Sequence, residues 1–376
     1  MIKLIKLVHV ISDTNIGGAG KYLLTYLENC DTKAFKVSVV LPKGSKLEPE
    51  VKKLGFKVIT SSGIADKSVS LPAVFELYKI FKKEKPDMVH THATLSARVA
   101  ARFAGVWNIT YTRHSVFPQK QYLTRGIGKK LSGLAAKVFS DEIIAVAKAA
   151  RQNLTDTGVD RSKISVIYNG VNKIVELSDD EKAKVKEKFC VAPDEFVVAI
   201  IARLELVKGH EYFIKAAQEV KKAGIKAKFF IAGTGEREQA LKQLVKSMGL
   251  GDTVFFTGFL NNIYELENVM DIQVNASFGT EAASLSLLEG MSIGKCAVVS
   301  DFGGNPEIIE DGVNGFVVSQ KDSKAIAEKI IKLLSDEKLR NAMSQNALKV
   351  FEKRFTSRIM TSNMEEFYKR ITERRV

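Results

Sequence analysis

The chain has 376 residues, 45% of them apolar and 27% charged, a length beyond what one hydrophobic core organises, so two domains are expected. Its cysteines, Cys30, Cys190 and Cys296, are far apart and odd in number, which excludes a disulfide framework or a zinc spacing and points to a reducing compartment. The net charge of +14 lies wholly before position 173, with 27 Lys+Arg against 13 Asp+Glu there and 30 against 30 afterwards, and such a basic half suits an anionic acceptor, a membrane leaflet or nucleic acid.

The N-terminal MIKLIKLVHVI carries an apolar run that is short, broken by Lys6 and followed by a glycine-rich turn, so it reads as a first strand and not as a signal peptide. No apolar stretch approaches the length of a membrane-spanning helix. Short β-branched runs then alternate with amphipathic segments of helical length, the pattern of βαβ units around parallel sheets. Strands are expected over 3–11, 36–41, 57–60, 88–91, 109–112, 143–146 and 164–167 in the first half. In the second half they are expected over 196–202, 227–232, 254–257, 271–275, 297–300 and 315–318. This pattern implies two doubly wound domains, 1–172 and 173–355, with a linker near Asn172, a helix over 179–189, and a last segment, 356–376, whose helix is expected to pack back onto the first domain.

The first βα turn, SDTNIGGAGKYLLTYL, sets Gly17, Gly18 and Gly20 at a helix start, where glycines let backbone amides approach a phosphate or carboxylate. It is not a dinucleotide fingerprint, because Leu23 stands where the third glycine belongs and VVLPKGS after the second strand lacks a ribose-binding acid. His90 and His92 in VHTHAT, and His114 in TYTRHSVF, fall at C-terminal strand ends, where doubly wound sheets bind ligands. Taken alone, a strand-end histidine is more often a hydrogen-bonded structural residue. The rings of His90 and His92 are expected to face opposite sides of their strand, which speaks against a metal pair. No Asp-x-Asp occurs, so a nucleotide diphosphate would need a cation other than a bound metal.

Such cations appear in ARLELVKGHEYF, where Arg203 and Lys208 sit in the loop before a helix; arginine grips two oxygens at once and lysine acts as a point charge. Gly233 and Gly235 of IAGTGEREQAL shape another strand-to-helix turn. SFGTEAASLSLLEGM then places Glu281 and Glu289 with seven residues between them. Glu281 is expected in a loop at the mouth of a helix that starts near Ala283 or Ser284, and Glu289 two turns inside that helix. A phosphate flanked by polyhydroxylated groups fits that spacing, because free amides at the helix start attract anions. DFGGNPEIIEDGVNGFVV adds Gly303, Gly304 and Glu307 after a further strand.

Taken in order, GGAGKYLL, VHTH, TRHS, VIYNGV, ARLELVKGH, IAGTGERE and GTEAASLSLLEGMSIGKCAVVSDFGGNPEIIEDGVNGFVV resemble glycosyltransferase family 4, whose members have the GT-B fold. The resemblance covers nearly the whole chain and implies an α/β architecture of two Rossmann-like domains facing each other across a cleft. It implies a nucleotide-sugar donor, with Glu289 on the ribose hydroxyls and Glu281 beside the sugar. Arg203 and Lys208 would neutralise the diphosphate, so no metal and no cofactor is expected. Amides of Ser284, Leu285 and Ser286 would cradle the donor, with Gly233 in the nucleotide-binding set; Gly17 and Gly18 would approach the phosphate, and His114 the reacting carbon of the sugar. His114, Arg203, Lys208 and Glu281 are then the catalytic candidates. The family pattern breaks at Ala282, Ala283 and Ser284, where bulk is lost and a hydroxyl is gained beside the expected sugar pocket.

The function implied is retaining transfer of a hexose from a UDP-linked donor to a glycan, lipid-linked or cell-surface polymer acceptor. The basic, apolar-interleaved LYKIFKKEKP and QKQYLTRGIGKKLSGLAAKVF add an expected peripheral contact between the N-terminal domain and an anionic membrane, so a cytoplasmic protein at the inner face of the plasma membrane is expected. A GT-B-like sugar-nucleotide epimerase is the alternative enzyme. A nucleic-acid binder has only charge to recommend it, with no RNA-binding aromatic motif, and no nucleic-acid partner is expected.

Overall fold

The computed structural model describes residues 4–64, 70–92 and 94–374. Lys3, at the start of the first expected strand, and Ala93, after His92, lie outside them. The chain forms two compact units, one running to Val171 and resuming at Ser357, the other spanning Asn172–Thr356.

In the first unit β1 (Ile5–Ile11), β2 (Phe35–Pro42), β3 (Lys57–Ser61), β4 (Met88–His92), β5 (Asn108–Arg113), β6 (Glu142–Ala145) and β7 (Ile164–Val166) form one sheet in the order β3-β2-β1-β4-β5-β6-β7. All pairs are parallel. Parallel strands need helices on both faces, which is why they read as nearly continuous apolar runs. The strand order reverses between β1 and β4, and ligands of doubly wound sheets bind beyond the strand ends at such a reversal.

The second unit repeats the plan with β8 (Phe196–Ile201), β9 (Ala227–Ala232), β10 (Val254–Gly258), β11 (Ile272–Asn275), β12 (Cys296–Ser300) and β13 (Gly315–Val318), ordered β10-β9-β8-β11-β12-β13. Its core packs Val198, Ile200, Phe213, Phe229, Ile231 and Val298 with helix residues such as Ile330 and Leu333. Several helix starts carry side-chain caps: Ser178 and Glu181 form a reciprocal capping box at Asp179–Lys188, and Asp322 and Asp336 cap the two long helices after β13. The reversal lies between β8 and β11, where Ile200 pairs with Val274.

The last helix, Ser357–Glu373, completes the first unit. Met360, Met364, Phe367, Tyr368 and Ile371 are buried at helical spacing on its inner face. Tyr368 reaches a ring nitrogen of His90 at 2.7 Å, Tyr22 donates to the Met364 sulfur, and Arg370 and Arg374 both pair with the buried Glu142. Where the chain returns, the Ser357 amide donates to the Val171 carbonyl at 2.9 Å.

Candidate active site

Three loops of the second unit converge at the β8–β11 reversal. The loop after β8 ends in the short turn Leu206–Lys208 and then the helix His210–Lys222. The segment after β11 is fastened to it, because the Phe278 amide donates to the Val207 carbonyl at 2.9 Å. The third loop, after β12, comes so close that a Cβ on Gly303, whose φ is +61°, would stand 1.8 Å from the Glu281 carbonyl oxygen. Only glycine satisfies both demands. Gly233, with φ +137°, likewise has its Cβ direction filled by the Ala202 carbonyl, so a backbone contact accounts for the glycine there.

Lys208 and Glu281 meet in this knot. The Lys208 Nζ donates to Glu281 Oε2 at 3.0 Å and to the Thr280 carbonyl at 2.9 Å, with 14% and 10% of the Lys208 and Glu281 side chains exposed. The same Oε2 also accepts from Asn275 and from Ser277, each at 3.3 Å. Asn305, fully buried, ties Asn275 to Ser300 at the end of β12. An ammonium has three N–H donors, and two are used among the described residues, leaving one for a ligand oxygen. Asn275, Ser277, Ser300 and Asn305 escape a sequence reading: they are small polar residues at the ends of β11 and β12 or just beyond them, and their shared purpose emerges only when the two strands lie side by side.

Arg203 is not gathered into this network. Its guanidinium is 74% exposed and pairs with Glu205 at 2.6 Å, the kind of exposed ion pair that contributes little and is readily exchanged. Ser284 caps the helix Leu285–Ser292, its Oγ accepting from the Leu287 amide at 3.3 Å and lying 3.0 Å from the Ser286 hydroxyl. The Ser286 hydroxyl in turn donates to the Ile201 carbonyl. The Ser284 hydroxyl, expected beside a sugar pocket, is therefore committed to the cap. The amides of Leu285 and Ser286 open the helix with no carbonyl a turn before them within it. Glu289 is half-buried and is the fifth residue of this helix, so it stands just over one turn inside, not two, because the helix starts later than expected.

In the first unit, Gly17 caps the helix Gly18–Asn29, and a Cβ at Gly18 would meet open space, whereas one at Gly20 would press on Leu47. The first two glycines therefore belong to an open turn and the third to packing. The histidines form one cluster. His90 and His92 stack with centroids 4.6 Å apart, which corrects the expectation that they face opposite sides: a strand repeats every two residues, so positions i and i+2 share a face. His9, opposite His90 in the β1–β4 register, joins them, with its Nδ1 3.1 Å from His92 Nε2. His92 Nδ1 lies 2.9 Å from Nε2 of His114, which caps the row at the end of β5. His9, His90 and His92 are near enough to one another to suggest a metal site. Yet both nitrogens of His92 are hydrogen-bonded, and His90 uses both of its own on Tyr368 and Thr112, at 2.7 Å each.

Burial pushes His9 and His114 down to about 3 and holds His90 and His92 well below the ordinary imidazole range, the neighbouring rings adding to the effect on the last two. The unfolded chain therefore takes up protons first as pH falls below about 6.5. Stability from these neutral rings is complete above that pH and is lost below it, at about 1.4 kcal/mol per pH unit for each ring. The melting temperature of the first unit is expected to drop between about pH 6.5 and about pH 5, before ordinary carboxylates titrate. A calorimetric scan series that stays flat over that window would contradict the buried neutral cluster.

Two tandem doubly wound units, each with its loops gathered at the strand reversal, define the class: Rossmann-like domains of the GT-B architecture. The family described as Glycosyl transferases group 1 matches residues 181–350, and Glycosyltransferase Family 4 matches residues 16–173. An uncharacterized glycosyltransferase of Methanocaldococcus jannaschii is 30% identical over 72% of this chain and 72% of its own. The chain belongs to glycosyltransferase family 4 and is a glycosyltransferase. An Escherichia coli relative named UDP-Gal:alpha-D-GlcNAc-diphosphoundecaprenol alpha-1,3-galactosyltransferase is 28% identical over 91% of each chain. Anabaena HepE, solved in complex with UDP, shares the fold with a TM-score of 0.85 at 20% identity, over 97% of this chain and 100% of that one.

Proposed function

We propose that this glycosyltransferase moves a hexose from a UDP-linked donor to a lipid-linked or surface-polymer glycan, with retention at the anomeric carbon and without a catalytic metal. The observation that carries the proposal is Lys208, buried beside Glu281 with one N–H donor to spare. In this scheme Lys208 and the exchangeable Arg203 meet the diphosphate, and the charge they carry counts most when negative charge grows on the leaving group. The amides of Ser284, Leu285 and Ser286 support the donor, Glu289 binds the ribose, Glu281 sets Lys208 and borders the sugar, and Gly233 holds the loop beneath. Within the first unit, His114 and the open Gly17–Gly18 turn are the groups offered to a ligand. A UDP donor and an undecaprenyl-diphosphate acceptor are supported by the name of the E. coli relative, and cell-envelope polysaccharide synthesis is the corresponding setting.

A panel of nucleotide sugars, offered with a GlcNAc-diphosphate lipid acceptor, tests this directly. The expected result is transfer from one UDP-sugar, an α-linked product from an α-linked donor, and a rate unchanged by chelator. Inverted product, or activity abolished by chelator and restored by a divalent cation, would overturn the mechanism. Glu289→Ala is expected to weaken UDP binding about 10–100-fold in titration calorimetry, the range for losing a charge-assisted pair of hydrogen bonds. Unchanged affinity would remove Glu289 from the ribose site.

The same proposal includes contact with an anionic membrane through the first unit. On the helix Gly126–Phe139, Ile127, Leu131, Leu134 and Val138 are between 44% and 76% exposed. At about 100° per residue they fall within an arc of about 60°, an apolar stripe turned to solvent instead of to the core. Exposed Lys130 and Lys137 lie along one edge of it, and Lys120, Tyr122 and Arg125 precede it. Among the described residues no helix is long and apolar enough to cross a membrane, so such a stripe would lie in the interface, its lysines toward anionic headgroups. Flotation is expected with vesicles containing phosphatidylglycerol and to be lost in Leu131→Glu/Leu134→Glu. Failure to float at low salt would discard the membrane contact.

A further inference from the structure

The histidine row of the first unit has a direction. We propose that His9 and His92 are positioning residues that fix the tautomer of His114, making its Nδ1 the proton-bearing nitrogen and hence a donor to a ligand oxygen.

His9 Nδ1 faces His92 Nε2 at 3.1 Å, and His92 Nδ1 faces His114 Nε2 at 2.9 Å. A neutral imidazole has one N–H and one bare nitrogen, so three rings hold three protons on six nitrogens. Each of the two links needs one proton. If His9 donates into the first link, His92 must donate into the second, and the spare proton sits on His114 Nδ1. In the opposite sense His114 donates inward, His92 donates to His9, and the spare proton sits on His9 Nε2.

The two ends of the row are unlike. His9 is fully buried, and among the described residues its Nε2 has no hydrogen-bond partner. A proton there would be a stranded donor, and buried N–H groups without an acceptor are rarer than under-used acceptors. His114 is mostly buried but keeps some exposure, and among the described residues its ring nitrogens have one protein partner, His92 through Nε2. Its Nδ1 is not among the buried atoms lacking a partner, so the spare proton can meet water or a ligand there. A charged ring would break the count, but burial holds all three neutral. His90 stands outside the row, because Tyr368 and Thr112 are hydroxyls that serve either of its tautomers.

A fixed Nδ1–H makes His114 selective for an acceptor oxygen, such as a sugar hydroxyl or a phosphate oxygen, over an N–H donor. That use rests on the reading that His114 contacts the donor, whereas the tautomer itself does not. Long-range proton–nitrogen correlation spectra of the full chain labelled with nitrogen-15 histidine, assigned with single-histidine variants, read each tautomer. His9, His92 and His114 are all expected to carry the proton on Nδ1, the less common form of a free neutral side chain. A proton on His114 Nε2, or zinc retained in stoichiometric amount by His9, His90 and His92 after dialysis, would overturn the inference. Breaking the row with His92→Phe is expected to shift His114 to Nε2–H and cut turnover about 10–100-fold, as for loss of one aimed donor. His92→Gln, which keeps a side-chain N–H, is expected to restore part of it. A His92→Phe enzyme whose turnover falls only in step with its melting temperature, with His114 still protonated on Nδ1, would also overturn the inference. If the wild-type spectra show the expected tautomers but no sugar transfer is found, the donor reading fails and the tautomer assignment stands.

Discussion

Lys208→Ala is expected to lower turnover by about 10²–10³-fold while changing donor affinity far less, the signature of a charge that acts mainly on the leaving diphosphate in the transition state. The substitution also strips Glu281 of its cation. That carboxylate is only 10% exposed in its side chain, and it would be left with Asn275 and Ser277 alone. A stability loss of up to about 3 kcal/mol is therefore expected alongside the kinetic one. The two effects separate in the double variant Lys208→Met/Glu281→Gln, which removes both charges: the melting temperature should recover and turnover should not. A double variant that recovers turnover would show that Lys208 only neutralises Glu281. A single variant with full turnover would remove the diphosphate role altogether.

The second large effect concerns the C-terminal helix. A chain ending at Thr356 loses Met360, Met364, Phe367, Tyr368 and Ile371, all buried in the first unit. Truncating one such residue to alanine typically costs about 2–5 kcal/mol. Removing all of them exceeds the roughly 5–15 kcal/mol that holds a domain folded. Glu142 would also lose both arginines, and His90 would lose Tyr368. The expected outcome is rapid proteolysis confined to the first unit, with the second unit, which contains none of these contacts, remaining resistant. A truncated chain with native protease resistance throughout would contradict the assignment of this helix to the core. The milder Tyr368→Phe should cost only about 1 kcal/mol, one hydrogen bond's net contribution.

Much of this architecture is legible in the sequence because parallel strands flanked by helices leave a strong pattern. Val197–Val198–Ala199–Ile200 is apolar on both faces, and in β8 both faces are covered. The Arg203 to Lys208 loop and the Glu281 to Glu289 stretch can be located for the same reason, each coming after such a strand. Pairing across distance cannot be read in this way. His9 sits inside an apolar run as an ordinary strand residue, and its partner His92 lies 83 positions later. Lys208 and Glu281 both stand out in the sequence, but that they clasp one another depends on how the loops after β8 and β11 knot together. Arg203 shows the reverse: its position is readable, its pairing with Glu205 is not, because a long exposed side chain settles by weak, local competition.

The meeting of Val171 and Ser357 has a consequence for synthesis. The first unit departs from its own sequence at Val171 and regains it only at Ser357, once all of Asn172–Thr356 has been made. At about 5–20 residues per second, a ribosome spends about 10–40 s on that insertion while the earlier half waits without the helix that seals its core. The second unit has all of its residues first, so the half that begins at the N-terminus is the last to finish folding. During that interval the nascent sheet exposes the apolar bed meant for Phe367 and Tyr368, and this is the stage at which a chaperone would find it.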